Sequence, residues 1–219
     1  MADLIIFDCD GTLVDSETLY NSITSELLTE MGFAEYTTTR CIELFAGQSW
    51  STIKAILEDK HGAQIPKDLV ERYIQTANSR MDNELKAAPD AHDMLEEIKQ
   101  ERSICVASNG ERGNVLKSLR MTGLMPHFDE AHIFTKIQVE RPKPAPDLFL
   151  FTAAQMGFDP AQCLVIEDSP AGVEAAVAAD MRVIGYTGCA HDTDHQADLL
   201  KSAGAQSITD RLIHITSHL

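Results

Sequence analysis

Residues 4–15 read LIIFDCDGTLVD, and the rest of the chain is best understood from this stretch. Its first four residues are apolar without alternation, which is typical of a parallel β-strand buried on both faces. The run ends in two carboxylates, Asp8 and Asp10, and Gly11 allows the backbone to turn beside them. Because α/β sheets place their chemistry beyond the C-terminal ends of the strands, we expect both carboxylates to enter one cavity. The simpler alternative is a strand followed by an acidic turn that has no function.

The composition is that of an ordinary globular protein of 219 residues, long enough for one domain or for a core with a smaller insertion. Lys and Arg total 18 against 34 Asp and Glu, so the formal net charge is −16. This balance works against nucleic acid or an anionic membrane as a partner, because both need a basic surface. A phosphorylated substrate would need local help from a metal ion or from a few placed cations. Nothing in the sequence demands more than a monomer.

The cysteines and the N-terminus bear on where the protein works. The five cysteines are scattered and form no CxxC pair, which favours a reduced protein. No charged-then-apolar leader precedes the first strand, and no stretch approaches the roughly 18 apolar residues of a membrane helix. The sequence therefore predicts a cytoplasmic protein.

The chain divides into a helical block and a region of alternating strands and helices. Apolar residues recur at helical spacing within residues 16–31, 39–45, 49–60 and 66–81, with no convincing strand among them. Pro66 suits the first turn of the last of these helices. The remaining segments predict repeated βα units with apolar strands, which favour a doubly wound parallel sheet. We therefore predict an α/β, Rossmann-like catalytic core, residues 1–14 and 83–219, with an inserted all-helical cap, residues 15–82.

Polar groups follow three further segments of the predicted core. They are Ser108 and Asn109 after an apolar strand, Lys143 in RPKPAPD, and Glu167 and Asp168 after the strand ending in LVI. Each has an ordinary explanation, namely a turn, a solvated surface lysine and a helix N-cap. Their combination and order along the chain are what favour a function.

Two histidine-containing segments are weaker candidates. Residues 189–195 carry transition-metal ligand types, but they are predicted to form a polar loop with no second cluster. His214 and His218 are predicted to belong to a surface tail. The sequence contains no GxxxxGK[ST] and no GxGxxG, so neither a nucleotide P-loop nor a dinucleotide fold has support.

The series DxDGT, SN, KPxPD and EDSxAG resembles the four motifs of the haloacid dehalogenase-like hydrolase superfamily, in sequence and on the expected elements. The resemblance covers residues 4–15 and about 103–187 well, and the cap only in kind. A small helical cap between the first two motifs is similar to the branch that contains β-phosphoglucomutase and sugar phosphatases. The resemblance implies an enzyme that attacks phosphorus with a carboxylate.

This resemblance implies a role for each motif residue. Asp8 would attack phosphorus and form an aspartyl phosphate, and Asp10 would be the general acid and base, which requires a raised pKa at Asp10. Mg²⁺ would be held by the Asp8 carboxylate, the Asp10 main-chain carbonyl and Asp168, with Glu167 close by or bound through water. Together with Lys143, the two aspartates Asp8 and Asp10 are the implied catalytic residues.

The phosphate group of the substrate would be held by the remaining motif residues. Lys143 would bind it and offset the carboxylates. Ser108, Asn109 and the main-chain N–H groups around Cys9 and Asp10 would donate hydrogen bonds to its oxygens. These are the contacts that the resemblance implies for the transferred group.

The resulting prediction is a Mg²⁺-dependent phosphatase for a small phosphorylated metabolite, such as a sugar, sugar-acid or polyol phosphate. The alternatives are a hexose-phosphate mutase of the β-phosphoglucomutase type and a catalytically silent binding domain. A dehalogenase is disfavoured because that group lacks the second Asp, and Asp10 is present. Phosphonate cleavage would need a Schiff-base lysine in the cap, for which Lys54 is the nearest candidate.

Substrate specificity would depend on the cap. The candidate residues are Tyr20 on the first cap helix, Gln48 and Trp50 in the turn at residues 46–52, and Arg80 or Arg72 as a cationic contact. Trp50 could equally belong to the core of the cap. The mutases of this branch have an Arg at the position of Trp50 and a His at the position of Tyr20, so this sequence departs from their pattern.

Overall fold

The computed structural model describes residues 2–45, 48, 50–62 and 65–218, with the backbone alone at residues 217 and 218. The helices and strands, in chain order, are β1 (Leu4–Phe7), β2 (Val14–Asp15), α1 (Glu17–Glu30), α2 (Thr38–Phe45), α3 (Trp50–His61), α4 (Leu69–Glu84), β3 (Lys86–Ala87), α5 (Ala91–Ile98), β4 (Ser103–Ser108), α6 (Arg112–Met121), β5 (Ile133–Thr135), α7 (Asp147–Met156), β6 (Cys163–Glu167), α8 (Pro170–Ala178), β7 (Arg182–Tyr186), α9 (Thr193–Ala203) and β8 (Ser207–Thr209). The chain divides into two compact units. The core comprises the residues up to Asp15 and those from Lys86 onward, and the cap comprises Ser16–Leu85.

The core is built on a six-stranded sheet in the order β5-β4-β1-β6-β7-β8. Every neighbouring pair of strands in it is parallel. All four residues of β1 are buried, as the unbroken apolar run predicts for a strand covered on both faces. The predicted α/β fold with a doubly wound parallel sheet is confirmed.

The register of the central strands brings the predicted motifs to one edge of the sheet. Phe7, the last residue of β1, pairs with Val106 of β4 and with Ile166 of β6. β4 continues to Ser108 and β6 to Glu167. Because the three strands are parallel and adjacent, the residues that follow them lie side by side at the C-terminal edge.

The cap contains the four predicted helices, and its described residues form no strand. α1 packs against α2 and α4. Its buried apolar residues are Leu19, Ile23, Leu27 and Leu28. The last helix begins at Leu69 and not at Pro66: the Pro66 carbonyl accepts a hydrogen bond from the Leu69 N–H (3.2 Å), so Pro66 lies in a turn that precedes α4. Residues 46, 47 and 49 of the predicted specificity turn lie outside the described part of the chain.

Two short features of the core differ from the sequence prediction. β2 and β3 form an antiparallel pair of two residues each, which is too short to leave a period in the sequence. Residues 189–195 are not a single polar loop, since α9 begins at Thr193. Asp192 caps this helix by accepting a hydrogen bond from the His195 N–H (2.9 Å). His195 is therefore part of a helix start.

The C-terminal segment is not a free tail. It forms a 3₁₀ helix, Leu212–His218, that packs against α5. Leu212 and Ile215 are buried in this contact, while His214 is exposed. None of the helices in the described part of the chain is both long enough and apolar enough to span a membrane.

Candidate active site

Three carboxylates meet at the C-terminal edge of the central strands. Asp8 follows β1, Glu167 ends β6 and Asp168 comes directly after it. One carboxylate oxygen from each lies within 4.8 Å of those of the other two. The side chain of Asp8 is 12% exposed and that of Glu167 only 1%. Because burial and like charge both favour the neutral acid, such a group needs nearby positive charge to stay ionised.

Lys143 supplies one positive charge from the loop before α7. Its Nζ donates hydrogen bonds to Asp8 Oδ1 (2.7 Å), to Glu167 Oε1 (2.6 Å) and to the main-chain carbonyl of Ala107 (2.7 Å). These three bonds match the three donors of an ammonium group. Burial by itself would lower the pKa of Lys143, but the charges of Asp8 and Glu167 outweigh it and raise that pKa above its ordinary value. Lys143 is a buried, permanently charged centre of the cluster.

One lysine does not balance three carboxylates. Burial raises the pKa of Asp8 to about 7, although Lys143 acts in the opposite direction. A further cation beside Asp8 would lower this pKa again, because an opposite charge favours the ionised form. The cluster offers carboxylate oxygens, which Mg²⁺ and other hard divalent cations prefer as ligands. The donor set and its excess of negative charge therefore fit a divalent metal ion.

Asp168 is held close to the turn that follows β1. Its Oδ1 accepts a hydrogen bond from the Thr12 hydroxyl (3.0 Å). Gly11 has a φ of +81°, and a Cβ there would lie 2.1 Å from Asp168 Oδ2. A side chain at position 11 would therefore be strained and would also displace the carboxylate. This is why the turn that follows β1 requires glycine at position 11.

Glu167 is directed into the protein. Lys143 binds its Oε1, and its Oε2 accepts hydrogen bonds from the Ser169 N–H (2.9 Å) and the Ser169 hydroxyl (2.8 Å). A Cβ on Gly172, in the first turn of α8, would lie 1.8 Å from Glu167 Oε1. Both oxygens of Glu167 are therefore engaged by the protein, which favours a role in holding Lys143 over direct coordination of a metal.

The Asn109 side chain binds the main chain of the loop that carries Lys143. Its Nδ2 donates to the Lys143 carbonyl (3.0 Å), and its Oδ1 accepts from the Lys143 N–H (3.1 Å). The NH₂ group and the oxygen of the amide are therefore both hydrogen-bonded to the main chain of Lys143. The Asn109 side chain therefore positions the main chain of Lys143, and the donation of a hydrogen bond from Asn109 to phosphate stays a prediction.

Ser108, Asp10 and Cys9 complete the edge of the site. Ser108 Oγ accepts a hydrogen bond from the Gly110 N–H (3.0 Å), so its own hydrogen is directed elsewhere and can be donated. A Cβ on Gly110 would lie 3.2 Å from Ser108 Oγ and 3.7 Å from Asp10 Oδ2, which places both polar groups around this glycine. Burial raises the pKa of the Cys9 thiol well above its usual value, so the thiol is neutral. The thiol therefore adds no negative charge to the site, and the donor that the sequence predicts at Cys9 is its main-chain N–H.

In the cap, Tyr20 and Trp50 have protein neighbours of their own. The Tyr20 hydroxyl lies 3.9 Å from Met81 Sδ. The half-buried Trp50 ring meets Tyr73 edge to face, with 5.0 Å between centroids. Gln48 is exposed. Trp50 therefore contributes to packing within the cap.

Arg80, a candidate cationic contact for substrate, forms ion pairs within the cap. Its guanidinium binds both oxygens of Glu26 (2.8 and 2.9 Å) and both oxygens of Glu84 (2.8 and 2.6 Å). Arg72 likewise pairs with Glu30. The positive charge of Arg80 is therefore matched by two carboxylates within the cap, and its contact with substrate stays a prediction.

Comparison with known proteins identifies the family. The family model of the haloacid dehalogenase-like hydrolases matches residues 5–186, a range that includes all the motif residues described above. The chain belongs to this family. Fructose-1-phosphate phosphatase YqaB of Escherichia coli is 30% identical over 180 residues, which are 82% of this chain and 94% of that protein. A 6-phosphogluconate phosphatase of the same organism is 28% identical, over 87% of this chain and 85% of that protein. Among the haloacid dehalogenase-like hydrolases, this chain is a phosphoric monoester hydrolase.

Solved structures of the family share the fold of this hydrolase. A haloacid dehalogenase-like protein of unknown function from Agrobacterium tumefaciens superposes with a TM-score of 0.90 at 34% identity, over 100% of this chain and 97% of that one. A family hydrolase from Deinococcus radiodurans, crystallised with phosphate and sodium, also has a TM-score of 0.90, at 30% identity over 99% and 94% of the two chains. The predicted membership in this superfamily is confirmed.

Three residues that contact the site of this hydrolase have no role in the sequence prediction. Thr12 belongs to the DxDGT motif and Gly172 to the EDSxAG motif, so their positions in these motifs indicated a role at the site. Gln196, in α9, donates a hydrogen bond from Nε2 to the main-chain carbonyl of Asp168. It lies 28 residues further along the chain, in a polar helix with no motif, and nothing in the sequence pointed to it.

Proposed function

We propose that the chain is a Mg²⁺-dependent phosphatase for small phosphorylated sugars, sugar acids or polyols, acting through an aspartyl phosphate on Asp8. The observation that carries this proposal is the Lys143-centred cluster, in which a buried ammonium binds Asp8 Oδ1 at 2.7 Å beside Asp168. Such a site can accept a phosphate dianion only if further positive charge enters with it. A divalent cation provides that charge.

In the first half-reaction, Asp8 attacks phosphorus as a carboxylate. An Asp8 O–P bond forms while the bond from phosphorus to the leaving oxygen breaks, and Asp10 gives its proton to that oxygen. The bond from Lys143 fixes the orientation of Asp8 for this attack. Ser108 has a hydroxyl hydrogen to donate to the transferred group, and Asn109 acts indirectly by holding the Lys143 main chain.

In the second half-reaction, water takes the phosphoryl group from Asp8. Asp10, now a carboxylate, removes a proton from the water as its oxygen bonds to phosphorus and the Asp8 O–P bond breaks. Inorganic phosphate leaves, and both aspartates return to their starting protonation states. One residue can serve both steps because each step leaves it in the form that the next one needs.

The residues that would hold Mg²⁺ are Asp8 and Asp168 through their carboxylates and Asp10 through its main-chain carbonyl. Glu167 would act through Lys143 or through a water molecule, because both of its oxygens already accept protein hydrogen bonds. When bound, Mg²⁺ would neutralise charge on the phosphate and the carboxylates and would hold them in register.

The substrate class is supported by the relatives. Two of them act on fructose 1-phosphate and on 6-phosphogluconate, as their names state. The test is a screen of the purified chain with Mg²⁺ against a panel of phosphorylated metabolites, with released phosphate as the readout. We expect sugar, sugar-acid or polyol phosphates to be hydrolysed and excess EDTA to stop the reaction. Full activity in EDTA would contradict the metal assignment, and no release from any compound would favour a silent binding domain.

We expect this enzyme to hydrolyse a hexose phosphate faster than it isomerises it. A mutase must keep a bisphosphate intermediate bound, and a bidentate, permanently charged arginine suits that task. This chain has Trp50 and Tyr20 at the positions where mutases of this branch have Arg and His. Given β-glucose 1-phosphate and a trace of the bisphosphate, we expect free phosphate to form faster than glucose 6-phosphate.

Both products should be followed in the same reaction. The Asp8→Asn variant is the control, because it should form neither product if both depend on the same carboxylate. Faster formation of glucose 6-phosphate than of phosphate by the wild type would contradict the phosphatase proposal and favour the mutase.

A further inference from the structure

α9 contributes a side chain to the site from outside the four motifs. Gln196 lies in the first half of this helix, and its Nε2 donates a hydrogen bond to the main-chain carbonyl of Asp168. A carbonyl oxygen can only accept, so the amide must present its NH₂ group and not its oxygen to Asp168. The orientation of the Gln196 amide is therefore fixed by chemistry.

The place of Gln196 is fixed by the packing of α9. Asp192 caps the helix through the His195 N–H (2.9 Å), and the helix packs against α8 and β7. Leu200, one turn after Gln196, is buried. Because α8 begins at Pro170, two residues after Asp168, α9 is anchored to the element that directly follows the carboxylate. Gln196 is therefore a fixed point against which Asp168 can be held.

Asp168 is contacted from two directions. The Thr12 hydroxyl binds its carboxylate at Oδ1 (3.0 Å), and Gln196 binds its main-chain carbonyl. The first contact fixes the end of the side chain, and the second fixes the peptide plane from which the side chain starts. We propose that Gln196 is a positioning residue for Asp168 as a metal ligand. This inference rests on the proposed function, in which Asp168 holds Mg²⁺.

Removal of this hydrogen bond should weaken metal binding without blocking the chemistry. Groups that orient a metal ligand typically change metal affinity by about 10- to 100-fold when they are lost. Gln196→Met keeps the length of the side chain and removes the donor. We expect it to raise the Mg²⁺ dissociation constant about 10-fold and to raise the Mg²⁺ concentration for half-maximal activity in parallel. At saturating Mg²⁺, kcat should approach the wild-type value.

The matched control is Gln100→Met. Gln100 Nε2 also donates to a main-chain carbonyl, that of Glu96 (3.1 Å), but on an exposed surface away from the site. It tests whether loss of any such glutamine bond affects the protein in the same way. We expect wild-type Mg²⁺ affinity for Gln100→Met.

The experiment is calorimetric titration of the metal-free full chain with Mg²⁺, without substrate, for the wild type, Asp168→Asn, Gln196→Met and Gln100→Met. Thermal unfolding without Mg²⁺ is recorded for each. The inference is supported if the wild type binds Mg²⁺, Asp168→Asn loses it, and only Gln196→Met of the two glutamine variants is weakened. It is overturned if Gln196→Met binds like the wild type, or if it loses only thermal stability, since that is a purely structural role. Absence of wild-type Mg²⁺ binding would overturn the proposed metal function itself, which distinguishes the two failures.

Discussion

Asp8→Asn should lower kcat by at least about 100-fold, which corresponds to about 2.7 kcal/mol of transition-state stabilisation. The amide has the shape of the carboxylate, but it cannot form the acyl phosphate that the proposed reaction requires. Its oxygen can still accept the hydrogen bond that Lys143 donates to Asp8 Oδ1 at 2.7 Å. Because that bond can be kept, we expect the variant to fold. Steady-state kinetics on the best substrate of the screen, with circular dichroism, measures both properties.

A suitable control is Asp147→Asn. Asp147 is also a paired carboxylate, held by two bonds from Arg141 (3.0 and 2.7 Å), but its pair lies on the surface. This control should keep full activity, because no step of the reaction involves it. If Asp8→Asn keeps more than about 1% of kcat, less than the expected ~2.7 kcal/mol has been lost and Asp8 is not the nucleophile.

The clustering of the motif residues could be predicted from the sequence because it follows from sheet geometry. Asp8 and Asp168 come just after apolar runs that are typical of buried parallel strands, and adjacent parallel strands end at the same edge. Lys143 was placed there by its motif alone. Its three hydrogen bonds involve residues 36, 24 and 135 positions away, so no local pattern contains them.

The side-chain contacts that could not be predicted join residues that are distant in the chain. The two hydrogen bonds between the Asn109 side chain and the Lys143 main chain join residues 34 positions apart, so no local pattern contains them. For Arg80, Glu84 at i+4 was a partner that the sequence could show. Its second partner, Glu26, is 54 residues away and could be found only from the packing of the cap.

Lys143→Met should be both inactive and markedly less stable. Removal of one partner from a buried ion pair typically costs about 3–5 kcal/mol, because it leaves an uncompensated buried charge. Here the side chain of Lys143 is 3% exposed and two carboxylates, Asp8 and Glu167, depend on it. Loss of the hydrogen bond that orients Asp8 should also lower kcat, on the order of 10²-fold. Urea unfolding and steady-state kinetics measure the two effects.

The matched comparison is Arg80→Met, which also removes a cation that binds two carboxylates. Its partners Glu26 and Glu84 are 58% and 45% exposed, so water can solvate them once the arginine is gone. Exposed pairs typically contribute about 0–1 kcal/mol, and we expect a loss in that range for Arg80→Met. Equal losses for the two variants would contradict the view that burial, and not the number of ion pairs, makes Lys143 important.

The stability that Lys143→Met loses relative to the wild type should depend on pH. Lys143 lowers the pKa of Asp8, which is about 7 in the intact cluster, so its removal should raise that pKa further. Above about pH 7 the wild-type Asp8 is then ionised beside its lysine, while the variant holds a proton that the unfolded chain releases. When the folded state binds more protons than the unfolded state, stability falls as the pH rises. The deficit of Lys143→Met relative to wild type, measured without Mg²⁺, should therefore grow above about pH 7, and a deficit that shrinks there would mean that Lys143 does not hold Asp8 in its charged form.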